Sequence, residues 1–248
     1  FDEMSSRIRR QVEEMRGLED MRRELITNVS HDLRTPIAAL QGYLDTLLLK
    51  GEEVIGAERE EYLGIALSQC QRLGRLVEEL FELTKLESKA VEPHFEAVSI
   101  AELVQDNLMR FRLPAAEKRI HLEAELGPEM PFVRADLRLM ERVLENLIEN
   151  AVRFTPEGGQ IEVGVEDLGS RVRLQISDTG CGIAEEELPA IFDRFYRCQF
   201  QADSGYRGAG LGLAISQRIL DLHGSRFNVE SQVGVGTRFS FELPAVEM

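Results

Sequence analysis

Apolar residues recur at Met4, Ile8, Val12, Met15, Leu18, Met21, Leu25, Val29, Leu33, Ile37, Leu40, Leu44 and Leu47, always at steps of three or four. An α-helix turns about 100° per residue, so these positions share one side of a single long helix. The first ninety residues hold no proline except Pro36, which leaves that helix room to run. The pattern breaks around Lys50, Gly51 and Gly56, then resumes at Tyr62, Ile65, Ala66, Leu73, Leu76, Leu80 and Leu83. Two helices joined by a short loop make an antiparallel hairpin, and a lone hairpin leaves its apolar stripes partly wet. Two copies pairing as a four-helix bundle would cover them, so the sequence predicts an all-α domain that forms a homodimer.

The texture changes after Lys89, and Pro93 marks a linker. His94 to Val98 reads as a strand, and Ser99 with Glu102 forms a capping box that opens a helix to about Arg112. Ile120 to Leu126 alternates like a strand, and Asp136 is placed to cap a helix running to about Phe154. Ile161 to Glu166 and Arg171 to Ser177 read as a hairpin turned at 167–170. Leu211 to Leu222 reads as helix, and Arg226 to Ser231 with Thr237 to Leu243 as a closing hairpin joined at 234–236. Strands paired mostly by hairpins, with a few helices, predict an α+β sandwich.

Acidic residues outnumber basic ones by 44 to 29, a formal charge of −15, which excludes a broad basic surface for nucleic acid. No apolar run is long enough to cross a bilayer. No signal peptide is visible, and the first residue is Phe1 rather than Met, so the chain is expected to be cut from something longer. Cys70, Cys181 and Cys198 form no close pair and read as reduced thiols.

Three features carry chemistry. His31 lies two residues from Val29 and from Leu33, about 200° around the helix, and so faces away from the apolar stripe. An exposed imidazole offers an unprotonated nitrogen near neutral pH, and Asp32 beside it is placed to accept a proton. Arg34 and Thr35 share its face, and Pro36 removes the usual partner of the Asp32 carbonyl, predicting a bend or loosening there. A surface histidine beside an incidental kink has the same local pattern. Next, Asn146, Asn150, Arg153 and Phe154 fall on one face of the second domain's helix. They read either as two hydrogen-bonded core amides or as oxygen donors for Mg2+ with an arginine for phosphate. Finally, Asp178 precedes Gly180, Gly182 and Ile183, and Gly208, Gly210, Leu211 and Gly212 precede a helix. A carboxylate at a strand end can accept the adenine amino group, while glycines before a helix offer amides to phosphate. Taken alone, each glycine cluster is weak evidence, and plain turn chemistry is the better explanation of it.

The string from Asn28 to Ile37 resembles the H-box of two-component sensor histidine kinases. In that family's order follow segments similar to its N-box (Asn146 to Thr155), first glycine box (Asp178 to Ile183), F-box (Phe192 to Arg197), second glycine box (Gly208 to Leu213) and closing G-x-G-T-x-F run (Gly234 to Phe239). The resemblance covers residues 21–248. It implies autophosphorylation of His31 from Mg-ATP and transfer to an aspartate of a response regulator. It gives Asp32 an assisting role and Thr35 the positioning of water when the same enzyme dephosphorylates its partner. It implies Asn150, then Asn146, as Mg2+ ligands, Asp178 with Thr237 for adenine, Arg153 for phosphate, Phe154 near the base, and a lid over 198–210 with Arg207 as a further phosphate contact. DNA gyrase, a related ATPase, carries a glutamate where Asn146 stands. The amide, unable to serve as general base, implies ATP held for transfer rather than hydrolysis. Ala209 and Ser225 depart from the family's usual Ser/Thr and Gly, away from these roles.

The expected organisation is a signalling helix over 1–20, resembling the end of a HAMP module, then a dimerisation and histidine phosphotransfer domain over 21–90. A linker over 91–96 and a catalytic ATP-binding domain over 97–248 complete it. Such modules follow a membrane span, so the whole protein is expected at the bacterial inner membrane with this portion on its cytoplasmic side. The alternatives are a phosphatase-dominant protein and a catalytically silent dimeric scaffold.

Overall fold

The computed structural model describes residues 33–49, 55–88, 91–127, 130–198 and 210–246. Among these no helix is long and apolar enough to cross a membrane. The chain divides into two compact units, residues 1–78 and 79–248.

In the first unit, α1 covers residues 33–49 of the described chain and α2 is Ala57–Glu87. Two acidic residues, Glu58 and Glu60, occupy the first turn of α2 and Lys85 the last, matching the sign of the helix dipole at each end. The two helices meet where the Tyr43 and Tyr62 rings lie 5.5 Å apart. Ala66 and Leu76 are buried within one copy, whereas Leu48, Leu49 and Leu67 are 80%, 87% and 59% exposed. Ile37 and Leu44, both on the predicted apolar stripe, are exposed too, so a single hairpin leaves part of that stripe uncovered. The disturbance expected at Asp32 and Pro36 depends on a residue outside those described.

The second unit begins within α2. Leu83 and Leu86 join its core, Glu82 accepts from Arg142 at 3.0 Å, and the Leu86 carbonyl accepts from Arg218 at 3.2 Å. Glu87 pairs with Arg194. Beyond residues 91–95 come β1 (Glu96–Ser99), α3 (Ile100–Glu117), β2 (His121–Glu125), β3 (Phe132–Ala135) and α4 (Leu137–Phe154). Then follow β4 (Gln160–Asp167), β5 (Arg171–Asp178), a 3-10 turn (Leu188–Ala190), α5 (Gly212–Leu222), β6 (Asn228–Gln232) and β7 (Gly236–Pro244).

A five-stranded sheet in the order β2-β4-β5-β7-β6 backs the three helices, and β1 pairs with β3 separately. Alternation along β5 and β7 sends Val172, Leu174, Ile176, Phe239, Phe241 and Leu243 into the core. Against them pack Val104 of α3, Val143, Leu144, Leu147 and Ile148 of α4, and Ile215 and Ile219 of α5. Each such side chain contributes roughly 1.5–3 kcal/mol of burial, so this layer rather than helix propensity holds α4 in place.

The caps anticipated from the sequence are present. Ser99 Oγ accepts from Glu102 N–H, and Asp136 Oδ1 accepts from Leu139 N–H at 3.1 Å. Other expectations shift. The first strand starts at Glu96 rather than His94, because the His94 N–H is given to Asp136 Oδ2 at 2.8 Å instead of to a neighbouring strand. The helix expected to stop near Arg112 runs through Pro114 to Glu117. The pairing is also less local than predicted. Among the described residues only β4–β5 and β6–β7 are hairpins, β5–β7 and β1–β3 join distant segments, and β2–β4 is parallel.

Candidate nucleotide and phosphotransfer site

Helix α4 positions the asparagines. Its buried face turns Asn146 inward to 6% exposure, where the side-chain N–H2 donates to Gly212 O at 3.1 Å and Ser216 Oγ at 3.0 Å. Both amide hydrogens are thereby spent on α5, leaving the carbonyl oxygen as the remaining polar atom. Asn150, one turn on, is half-buried. Arg153 donates to Glu149 Oε1 at 2.6 Å, and its guanidinium stands 5.9 Å from the centre of the Phe154 ring. Two neutral oxygens one helical turn apart suit Mg2+, which takes a few protein oxygens and shares the rest of its shell with phosphates and water.

The carboxylate of Asp178 ends β5 and is largely out of water. Gly180 N–H donates to its Oδ1 at 2.8 Å and the Thr237 backbone also donates to it. Burial nevertheless dominates and pushes the pKa up to about 6 from 3.8. The loop after it is built to close tolerances. A Cβ on Gly182 would lie 2.1 Å from Gln232 O, and one on Gly180 would lie 2.8 Å from Phe154 O. The ends of α4 and β5 and the β6–β7 turn therefore meet at Asp178. Ser231 ties this corner. Its hydroxyl accepts from Ile183 N–H at 2.8 Å, lies 2.8 Å from Thr237 Oγ1, and donates to Gly236 O at 3.0 Å.

The F-box and second glycine box also touch. Phe195, at φ +62°, donates its N–H to Gly210 O at 2.9 Å, and a Cβ on Gly210 would meet Tyr196 O at 2.7 Å. Leu211 is wholly buried and Gly212 opens α5 against Asn146. The structure thus brings together Asn146, Gly210, Leu211 and Gly212 on one side, and Phe154, Asp178, Gly180, Gly182, Ile183 and Thr237 on the other. Asn150 and Arg153 lie on α4 between them. Thr35 lies on α1 in the first unit, partly buried. His31, Asp32, Arg207 and Gly208, the signalling helix and the loop at Gly51 lie outside the described residues. Sequence reasoning missed Ser216 and Ser231. Each is a lone serine whose partner is 70 or 6 residues away, and no local pattern marks it.

Residues 21–89 match the family described as the His Kinase A (phospho-acceptor) domain, and residues 135–247 match the Histidine kinase-, DNA gyrase B-, and HSP90-like ATPase family. The chain belongs to the sensor histidine kinase family. Drug sensory protein A of Synechocystis sp. is 39% identical over 246 residues, which is 95% of this chain and 36% of that protein. The chain therefore spans little more than a third of this curated relative. Among solved structures, histidine kinase ThkA in complex with response regulator protein TrrA is 27% identical at a TM-score of 0.73, covering 90% of this chain and 61% of that one. Full-length ShkA in complex with AMPPNP is 28% identical at a TM-score of 0.67, covering 91% and 47%. In this chain the phospho-acceptor match precedes the ATPase match.

Proposed function

We propose that this chain is the core of a protein-histidine kinase that phosphorylates His31 from Mg-ATP and passes the phosphoryl group to an aspartate of a response regulator. The observation that carries the reading is the corner around Asp178, where a buried carboxylate, two tightly confined glycines and an asparagine-bearing helix converge. Such a corner recognises a base that offers an amino donor and keeps a phosphate tail close to helix ends. Asp178 accepts the adenine amino group, Thr237 supports that carboxylate through its backbone donor, and Arg153 neutralises phosphate oxygens. Asn150 and Asn146 hold Mg2+, which when bound screens phosphate charge and orients the terminal group.

A new bond forms between an imidazole nitrogen of His31 and the γ-phosphorus as the bond from that phosphorus to the β,γ-bridging oxygen breaks. ADP leaves with the electron pair, and Asp32 takes the ring proton. Positioning and charge neutralisation supply most of the catalysis in such a transfer. The exposed Leu48, Leu49 and Leu67 support a homodimer, in which a second copy covers them. ThkA in its complex with TrrA supports a receiver-type partner, and ShkA with AMPPNP supports the nucleotide. The sensor names of the relatives support a whole protein that reports a stimulus, with Thr35 positioning water when the same enzyme dephosphorylates its partner.

The test is the chemistry of the product. After incubation with Mg-ATP, the chain is expected to gain acid-labile, base-stable phosphate that mass spectrometry maps to His31. Equal labelling of a His31→Gln variant, or no acid-labile phosphate at all, overturns the reading.

A further inference from the structure

Helix α3 ends with an unusual turn. Lys118 caps it, Arg119 takes φ +54°, and Arg119 and Ile120 return their N–H groups to Ala116 and Ala115. That turn sends the Lys118 side chain across to the end of α4, where its ammonium donates to Val152 O at 2.8 Å, Arg153 O at 2.9 Å and Thr155 O at 3.2 Å. An ammonium has three donors, and here all three are used. The last four carbonyls of a helix have no partner within it, and they carry its partial negative charge. Ala151 O is already taken by Thr155 N–H, so Lys118 closes most of what is left.

The connection continues toward the nucleotide corner. Gly158 N–H donates to the Lys118 carbonyl at 3.3 Å, and His121 N–H donates to Gly159 O at 2.9 Å. Gly159 in turn is confined between Thr155 and Thr179, and Gly180 is confined by the Phe154 carbonyl. One side chain from outside every glycine and asparagine motif therefore fixes the turn that carries Arg153 and Phe154 and supports Gly180.

We infer that Lys118 is a positioning residue for nucleotide binding, which holds the C-terminal turn of α4 and offsets its negative end where a polyphosphate must approach. The inference deepens the kinase reading and rests on it for its activity readout. Without the ammonium, these three carbonyls lose a shared donor and an anionic ligand meets a more negative helix end.

The experiment uses the full chain with Lys118→Met and Lys118→Arg. For Lys118→Met the ATP concentration giving half-maximal phosphohistidine formation is expected to rise about tenfold, as the loss of charge-assisted hydrogen bonds implies. The maximal rate is expected to stay within about twofold, since the transferring groups are untouched. Lys118→Arg, which keeps charge and donors, is expected to recover half-saturation to within about threefold. A fall in maximal rate with half-saturation unchanged would mean only lost folded protein and overturns the inference, as does no change in either. Amide exchange of the nucleotide-free chain is the second arm. Exchange over 152–159 is expected to quicken in Lys118→Met while that of β5 and β7 stays put, and unchanged exchange at 152–159 overturns the anchoring. If the parent chain forms no phosphohistidine, the kinase reading fails, whereas the exchange arm still decides the anchoring.

Discussion

An Asp178→Asn variant is expected to bind ATP about 100-fold more weakly than the parent, because the adenine amino group loses a charge-assisted acceptor and meets an amide donor. The same substitution is expected to raise the thermal midpoint of the nucleotide-free chain. The two effects have one cause. Burial raises the Asp178 pKa to about 6 from 3.8, so the folded protein holds the proton more tightly than the unfolded chain does. A carboxylate with a raised pKa costs stability when ionised. That cost is absent below about pH 3.8, grows between the two values and is complete above about pH 6. Its size is on the order of 2–3 kcal/mol, enough for a rise of roughly 5 °C. Asparagine keeps the Oδ1 that accepts from Gly180 but never ionises. The gain is therefore expected in full at pH 8 and is expected to fade as the pH falls toward 4, as thermal denaturation across pH would show. Parent affinity for ATP should weaken as pH drops through 6. A variant that melts lower than the parent at pH 8, or binds ATP as well, would contradict the role given to this carboxylate.

Replacing Gly236 by alanine is expected to cost about 3–5 kcal/mol, from a methyl forced into backbone and a φ that L residues avoid. Gly236 sits at φ +142°, and its added Cβ would fall 1.9 Å from Asp178 O, 2.9 Å from Asp178 C and 3.0 Å from Thr179 Cα. None of these atoms belongs to a movable side chain. Relief requires parting the end of the β5–β7 ladder, where Asp178 faces Thr237. Gly234, two residues back in the same turn, is the control. It has φ +76° and nothing within 4 Å of an added Cβ, so its alanine variant pays only the backbone term of about 1 kcal/mol. Thermal melts of both variants check the contrast. Equal midpoints would show that crowding at Asp178 is not what requires glycine at 236.

Legibility in the sequence tracked the range of the interaction. Asp136 and Ser99 act on residues three positions away, so both caps were readable from spacing alone. The α4 face was equally plain, since eight of its residues are buried at helical intervals. The strand Phe132–Ala135 escaped notice because four residues after a proline carry too little alternation, and its partner β1 is more than thirty positions upstream. The parallel β2–β4 pair escaped for the same reason, with a whole helix between its strands. At the site, the glycines and asparagines were visible as residue types. What requires glycine at 182 and 236 is the backbone of another segment, and what orients Asn146 is a serine on a different helix. Those causes are tertiary, and spacing does not encode them.

The closing turns of α2 bear on where this polypeptide could be cut. Scission at Pro93 would look natural from composition, yet it removes Leu83 and Leu86 from their seats and strips Arg142, Arg194 and Arg218 of the acceptors that hold them. A free-standing nucleotide-binding piece that keeps its own hydrophobic floor has to start by about Glu79, inside a helix that also belongs to the other unit.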